Sequence, residues 1–233
     1  MLYIVATPIG NLEDITLHAV RVLGEVDWVL AEDTRKTGLL LAHYRIKKPL
    51  VSFYEHNEVK KTPWVIEELK KGMAMALVSS AGTPTISDPG YKLVRACADE
   101  QLTVTALPGP SSIMNALALS VVPHDKFIFV GYLPRKRGER ERLLTKIKAW
   151  DVTCIFLESP FRIRQTLVDI QTLVGARRVS LCREMTKKFE EVRTLPVDEA
   201  IAHVAAGTPK GEFTVVLERA TPDARGLKRR EAT

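Results

Sequence analysis

Cysteine is scarce. There are three in 233 residues, Cys97, Cys154 and Cys182, and no two form a CxxC pair. Each lies in an apolar or periodic stretch, which speaks against a disulfide framework or a thiolate metal site. Buried free thiols in a reducing, cytoplasmic compartment are expected instead. The five histidines (His18, His43, His56, His124 and His203) are equally dispersed, so no metal is expected. No apolar run is long enough to span a bilayer. The opening MLYIVATPIG lacks the basic start and long apolar stretch of a secretory signal, and reads as a buried strand. No GxGxxG follows any expected strand, which disfavours a dinucleotide site, and there is neither a GxxxxGK[ST] phosphate loop nor a GxSxG nucleophile elbow. No internal repeat is visible.

What is present has the balance of an ordinary globular protein, with 45% hydrophobic and 27% charged residues. The length suits one large or two modest domains. In the first half, apolar runs at 2–6, 28–31, 74–79 and 103–107 read as buried strands, and amphipathic stretches at 16–24, 34–44, 63–71 and 91–100 read as helices. Strand alternating with helix predicts a parallel sheet covered on both faces. In the second half, strands are expected at 127–130, 152–157, 178–183, 191–195 and 213–219, with helices at 137–150, 161–173 and 197–206. The excess of strands over helices there suggests a mixed sheet. The reading is therefore an α/β protein with domains at 1–122 and 123–221, and a basic, disordered tail at 222–233.

In a parallel sheet the ligand site is built by loops at the carboxyl ends of the strands. Four such loops stand out: Thr7-Pro8-Ile9-Gly10-Asn11, Glu32-Asp33-Thr34-Arg35, the run from Ser79 to Gly90, and Pro108-Gly109-Pro110-Ser111-Ser112. The third has twelve small, polar and turn-forming residues, where about two to six is usual. Its length points to a function. Asp33 or Thr34 can cap the helix that follows, but capping alone does not account for the Glu-Asp pair with Arg35 behind it.

The net charge of +6 favours nucleic acid only slightly, but its placement says more. Between 135 and 148 lie seven cations, Arg135, Lys136, Arg137, Arg140, Arg142, Lys146 and Lys148, opposed by Glu139 and Glu141 alone. Arg225, Lys228, Arg229 and Arg230 form a second cluster in the tail. A solvated helix face and a phosphate-binding surface are both open from charge alone.

At these loops the chain resembles the tetrapyrrole methylase superfamily, and more closely its ribosomal small-subunit methyltransferase I branch. The stretches that carry the resemblance are VATPIGNLEDIT (5–16), AEDTR (31–35), SSAGTPTISDPG (79–90), LPGPSS (107–112), VGYLPRKRGER (130–140), FLESPFRI (156–163), REMTKKFEE (183–191) and GEFTVVLE (211–218). They run in family order over residues 1–219. The resemblance implies two α/β domains with a cofactor cleft between them and S-adenosylmethionine as methyl donor. It also implies 2′-O-methylation of a cytidine in the decoding region of 16S rRNA, by a homodimer acting on the small ribosomal subunit. Donor contacts are implied at Pro8, Ser79, Ser80, Ala81, Gly82, Thr83, Ile86, Pro108, Ser111 and Ser112, and at Leu157, Ser159, Pro160, Met185 and Thr186. Two positions depart from the family pattern: Ser80 stands where an Asp is usual, and Phe189 where a His is frequent.

Methyl transfer to a hydroxyl needs the proton removed, and Asp33, Asp88, Glu158, Glu184 and Lys187 are the candidate bases. Given the resemblance, Arg35, Arg135, Lys136, Arg137, Arg140 and Arg142 become candidate RNA contacts. Two other readings remain: a methyltransferase acting on a tetrapyrrole precursor, and a non-catalytic ribosome-assembly protein.

Overall fold

Alternating side chains in short strands sort the first half of the chain into two cores. In the computed structural model, which describes residues 1–220, five strands lie parallel in the order β3-β2-β4-β1-β5. They are β1 (Leu2–Val5), β2 (Trp28–Ala31), β3 (Leu50–Ser52), β4 (Met75–Val78) and β5 (Val104–Leu107). Because successive residues of a strand point to opposite faces, Leu2, Ile4, Leu30, Met75 and Leu77 join one core. Val5, Val29, Ala31, Ala76 and Val78 join the other. The first core is closed by α3 (Glu58–Lys70) and α4 (Tyr91–Asp99), through Val65, Ile66, Leu69, Leu93 and Cys97. The second is closed by α1 (Leu17–Glu25) and α2 (Thr34–His43), through Ala19, Val22, Leu23, Leu40 and Leu41. Burying each such Leu, Ile or Val side chain contributes about 1.5–3 kcal/mol. Helix starts follow the local chemistry: Thr16 Oγ1 accepts from Ala19 N at 3.0 Å to cap α1, and Asp33 caps α2.

The second half forms a mixed sheet in the order β6-β7-β10-β8-β9. Its strands are β6 (Phe127–Tyr132), β7 (Thr153–Glu158), β8 (Arg178–Arg183), β9 (Glu191–Pro196) and β10 (Phe213–Leu217). Only β6 and β7 pair in parallel; β10 runs antiparallel to both β7 and β8. It follows that β6, β7 and β8 point the same way and end at one edge of the sheet. One face is covered by α6 (Arg137–Lys148), α7 (Ile163–Leu173) and α8 (Val197–Ala205), around Phe156, Leu144, Leu167, Val204 and Val215.

The chain divides into two compact units, Met1–Ser111 and a second that begins at Ser112. The division falls earlier than position 122 because α5 (Ser112–Leu119) packs against β10 of the second sheet. Among the described residues no helix is long and apolar enough to cross a membrane. The tail cations lie outside the described residues. All three cysteines are buried free thiols; burial pushes Cys97 up to about 11, and Cys154 and Cys182 each up to about 12.

Candidate functional site

The parallel order of the first sheet brings the loops after β1, β4 and β5 to one edge, and the loop after β2 lies beside them. Hydrogen bonds tie three of these loops together. Thr7 and Gly82 exchange both backbone N–H···O bonds at 2.9 Å. Thr7 Oγ1 donates to Ser79 O at 3.1 Å, and Ser79 Oγ donates to Gly82 O at 3.0 Å. Thr83 Oγ1 donates to Pro110 O at 3.2 Å. Glycine is needed at two of the contacts. Gly82 has φ +80°, and a Cβ there would sit 3.4 Å from Ile9 Cγ2. A Cβ on Gly109 would come within 2.7 Å of Ala6 Cβ, closer than carbon atoms tolerate.

Two carboxylates hold the ends of the long loop. Glu32 Oε2 accepts from Ser80 N at 2.9 Å. At the far end, Glu58 Oε1 accepts from Gly90 N at 3.0 Å and from Lys92 N at 3.2 Å. The N-cap of α4 is Gly90, which has no side chain to offer, so a buried carboxylate from α3 takes the capping role. Between these anchors Thr85 and Ser87 adopt φ +73° and +63°. Such backbone is held only by surrounding structure and clusters where ligands bind.

These loops are compatible with the donor that the resemblance implies, a cationic sulfonium attached to a nucleoside. The stretches 5–11, 79–90 and 107–112 contain no lysine or arginine. They present carbonyl and hydroxyl oxygens, beside apolar surface from Pro8, Ile9, Ile86 and Pro108. The structure brings Pro8, Ser79, Ser80, Ala81, Gly82, Thr83, Ile86 and Pro108 to this edge, with Ser111 and Ser112 at the exit from the loop after β5. Asp88 is half-buried on the long loop.

The remaining expected contacts belong to the second unit. Leu157, Glu158, Ser159 and Pro160 leave the end of β7; Glu184, Met185 and Thr186 leave the end of β8. The second loop has backbone like that of the long loop: Glu184 and Thr186 lie at φ +50° and +63°. Of the six non-glycine residues with positive φ among the described residues, only Arg45 and Gln101 lie elsewhere, each just past a helix end.

Two expected roles, those of Glu158 and Arg140, need correcting. Glu158 is fully buried and already engaged: Oε2 accepts from Thr166 Oγ1 at 2.7 Å, Oε1 accepts from Ser159 N at 2.9 Å, and Arg162 lies 3.4 Å away. It pins the start of α7 and has no surface from which to take a substrate proton. Arg140 is likewise turned inward. Its side chain is 10% exposed, pairs with Asp169 at 2.7 Å and donates to Pro134 O and Arg135 O, so it is not part of the exposed cationic face. Asp33 caps α2 by accepting from Arg35 N and Lys36 N; the Arg35 side chain bonded to it holds its carboxyl below the usual carboxylate range. Glu184 and Lys187 pair with one another at 2.9 Å. Of the other cations, Arg35 is 90% exposed beside Asp33. Lys136 and Arg137 are exposed and pair with Glu139 and Glu141, three and four residues on, Arg142 donates to Gly138 O, and Arg135 is exposed. A separate cavity of about 150 Å³ in the second unit gathers Arg183, Glu191, Arg193 and His203, none of them an expected site residue.

The site residues that sequence reasoning passes over are Glu32, Glu58 and Gly109. Glu32 lies in a quoted loop, but nothing local shows that its partner is Ser80. Glu58 has no local signal at all, since its partners are 32 and 34 residues away.

Comparison with known proteins agrees with this geometry. Residues 1–201 match the family described as Tetrapyrrole (Corrin/Porphyrin) Methylases. A ribosomal RNA small subunit methyltransferase I from Thermotoga maritima is 51% identical over 216 residues, covering 93% of this chain and 97% of its own. The protein of that name from Vibrio cholerae is 46% identical, covering 93% and 76%. Among solved structures, uroporphyrin-III C-methyltransferase from Thermus thermophilus complexed with S-adenosylhomocysteine superposes with a TM-score of 0.66 at 16% identity, covering 92% of this chain and 96% of that one. A cobalt precorrin-4 methyltransferase gives 0.69 at 16%, covering 93% and 94%. At such identity these two likenesses speak to the fold. The chain belongs to the tetrapyrrole methylase family, among the relatives named ribosomal RNA small subunit methyltransferase I.

Proposed function

We propose that the protein transfers the methyl group of S-adenosylmethionine to the 2′-hydroxyl of a cytidine in the decoding region of 16S rRNA. On this reading it acts in the cytoplasm, as a homodimer, on the small ribosomal subunit. The observation that carries the reading is the sutured loop cluster of the first unit, free of cations and preset by Gly82, Gly109, Glu32 and Glu58. The names of the 51% and 46% identical relatives supply the substrate class.

When bound, the donor supplies an electrophilic methyl carbon on a positively charged sulfur that leaves as a neutral thioether. The transfer would form a bond from the ribose oxygen to that carbon as the carbon–sulfur bond breaks, with the hydroxyl proton passing to a base or to water. The loops after β1, β4 and β5 hold and orient the donor. Their hydrogen-bonded backbone would hold the bound donor in one orientation toward the attacking oxygen, an effect that supplies roughly 7–11 kcal/mol in favourable cases. The exposed cations of α6 and the turn before it, Arg135, Lys136, Arg137 and Arg142, hold rRNA phosphates.

The test is to incubate the protein with isotopically labelled donor and small subunits from cells lacking this modification, then to map the label. One methylated cytidine ribose in the decoding region is the expected result. Label on a base, or no label on the subunits while a tetrapyrrole precursor supplied in a parallel incubation is methylated, or none in either, would overturn the proposal.

A further inference from the structure

The end of β7 carries an aromatic ring with no structural use. Phe161 is 96% exposed, the most exposed of the large hydrophobic residues described. Leaving a phenylalanine in water forgoes stabilisation of about 1.5–3 kcal/mol. The turn that carries it is firmly built. Ser159 O accepts from Arg162 N at 3.1 Å and from Ile163 N at 3.0 Å. The guanidinium of Arg162 donates to Leu133 O at 2.9 Å and to Pro134 O at 3.1 Å. These bonds lock the turn against the strand end that leads into exposed Arg135. Exposed Arg164 follows on the first turn of α7.

The same sheet edge, where β6, β7 and β8 end, carries a second exposed ring. Phe189 is 66% exposed, with Lys188 Nζ 5.6 Å from its centroid and Lys187 beside it in sequence. Aromatic faces interleaved with cations match the chemistry of an unpaired nucleotide strand, whose bases stack on rings while its phosphates meet Lys and Arg. A protein partner would want an apolar rim around the ring. Phe161 is instead followed in sequence by Arg162 and Arg164, and Arg162 bonds the strand end that leads into Arg135. Resting on the RNA-substrate reading above, we infer that Phe161 is a stacking platform for an unpaired base of the rRNA, with Arg135 and Arg164 on the adjoining phosphates.

The test compares Phe161→Ala, Phe161→Trp and wild-type protein for equilibrium binding to unmodified small ribosomal subunits. Donor affinity is measured by calorimetry, and oligomeric state by sedimentation velocity. Phe161→Ala is expected to weaken subunit binding roughly 5- to 150-fold, the range for loss of one base–aromatic stack. Donor affinity, melting temperature and sedimentation should stay at wild-type values, because the ring touches little of its own chain. Phe161→Trp should restore binding. Unchanged binding by Phe161→Ala, or failure of Trp to restore it, overturns the inference. A changed sedimentation coefficient at unchanged subunit affinity assigns the ring to a contact between copies and also overturns it. If wild-type protein does not bind the subunits, the substrate reading falls and this inference falls with it; binding by wild type with no loss in Phe161→Ala removes only the inference.

Discussion

Replacing Glu58 tests whether the long loop is held from outside itself. The carboxylate is 4% exposed and accepts from Gly90 N and Lys92 N at 3.0 and 3.2 Å. Hydrogen bonds to a charged acceptor contribute about 1.5–3 kcal/mol each, and a buried N–H left without an acceptor costs about 1–3 kcal/mol. Water can reach Lys92 N more readily than Gly90 N, so Glu58→Ala should lose about 2–4 kcal/mol. The 3.7 Å pairing with Lys92, an exposed lysine, adds little. Glu58→Gln keeps one acceptor oxygen but gives up the charge at the helix N-terminus, and should lose about 0.3–2 kcal/mol. Urea denaturation gives the stabilities, and titration calorimetry gives the donor affinity. Affinity should fall in the order wild type, Gln, Ala, because the strained segment at Thr85 and Ser87 loses its far anchor. A change below about 0.5 kcal/mol for Glu58→Ala, the size of an ordinary surface substitution, would refute the capping argument. Full stability loss with unchanged donor affinity would refute the link from cap to site.

Four further outcomes are expected. Gly82→Val places a branched side chain at φ +80° against Ile9, so calorimetry should show a larger loss of donor affinity than of stability; a large fall in melting temperature instead would mark the loop as purely structural. Arg137→Glu should weaken subunit binding and flatten its salt dependence, whereas Arg140→Glu should unfold the second unit, since breaking a buried pair typically costs about 3–5 kcal/mol. For Glu191, burial pushes the carboxyl up, but the Arg183 hydrogen bond and the His203 charge outweigh it and leave it below its ordinary value. Its stabilising contribution is therefore complete above the unfolded value of about 4.3 and fades as pH falls through the folded value, so Glu191→Gln should flatten the acid limb of a stability–pH curve. Asp33→Asn retains a good helix cap, and stability and methyl transfer should both persist; loss of transfer with stability intact would restore Asp33 as the base.

The parts of the fold legible in the sequence are those whose pattern is local. Strands β1, β2, β4 and β5 announce themselves as apolar runs between amphipathic helices, and the parallel sheet follows. Strand β3 has three residues and sits at a sheet edge, too short for any period to register. Helix α3 starts at Glu58 rather than at Pro63; proline favours the first turn of a helix, which hid the turn that precedes it. Two misjudged site residues did carry a signal. Arg140, Leu144 and Ile147 share one buried helical face, which places Arg140 inward. Cys154, Phe156 and Glu158 alternate along β7 and face the same way, which buries Glu158. Counting charges along a window misses what periodicity would have shown. Glu58 differs in kind, because only the tertiary fold brings it to Gly90.

These corrections bear on how the proposed reaction is driven. Of the five groups that chemistry offers as a base, Glu158 is sealed in, Asp33 is a weakened base held by its own helix, Glu184 and Lys187 neutralise each other, and Asp88 is half-buried on the long loop. A positioned base adds roughly 10²–10⁴-fold, about 3–5 kcal/mol, whereas alignment alone can supply roughly 7–11 kcal/mol. The energy stored in the structure lies on the alignment side. Thr85, Ser87, Glu184 and Thr186 hold left-handed backbone in the two motif loops, at a cost of about 1–3 kcal/mol each, and the long loop is anchored by two dedicated carboxylates. A site that relied chiefly on proton removal would need one well-placed group and could leave its loops loose. Here the loops are constrained and the candidate bases mostly engaged, as expected of an enzyme that works by holding a reactive donor still in front of its acceptor.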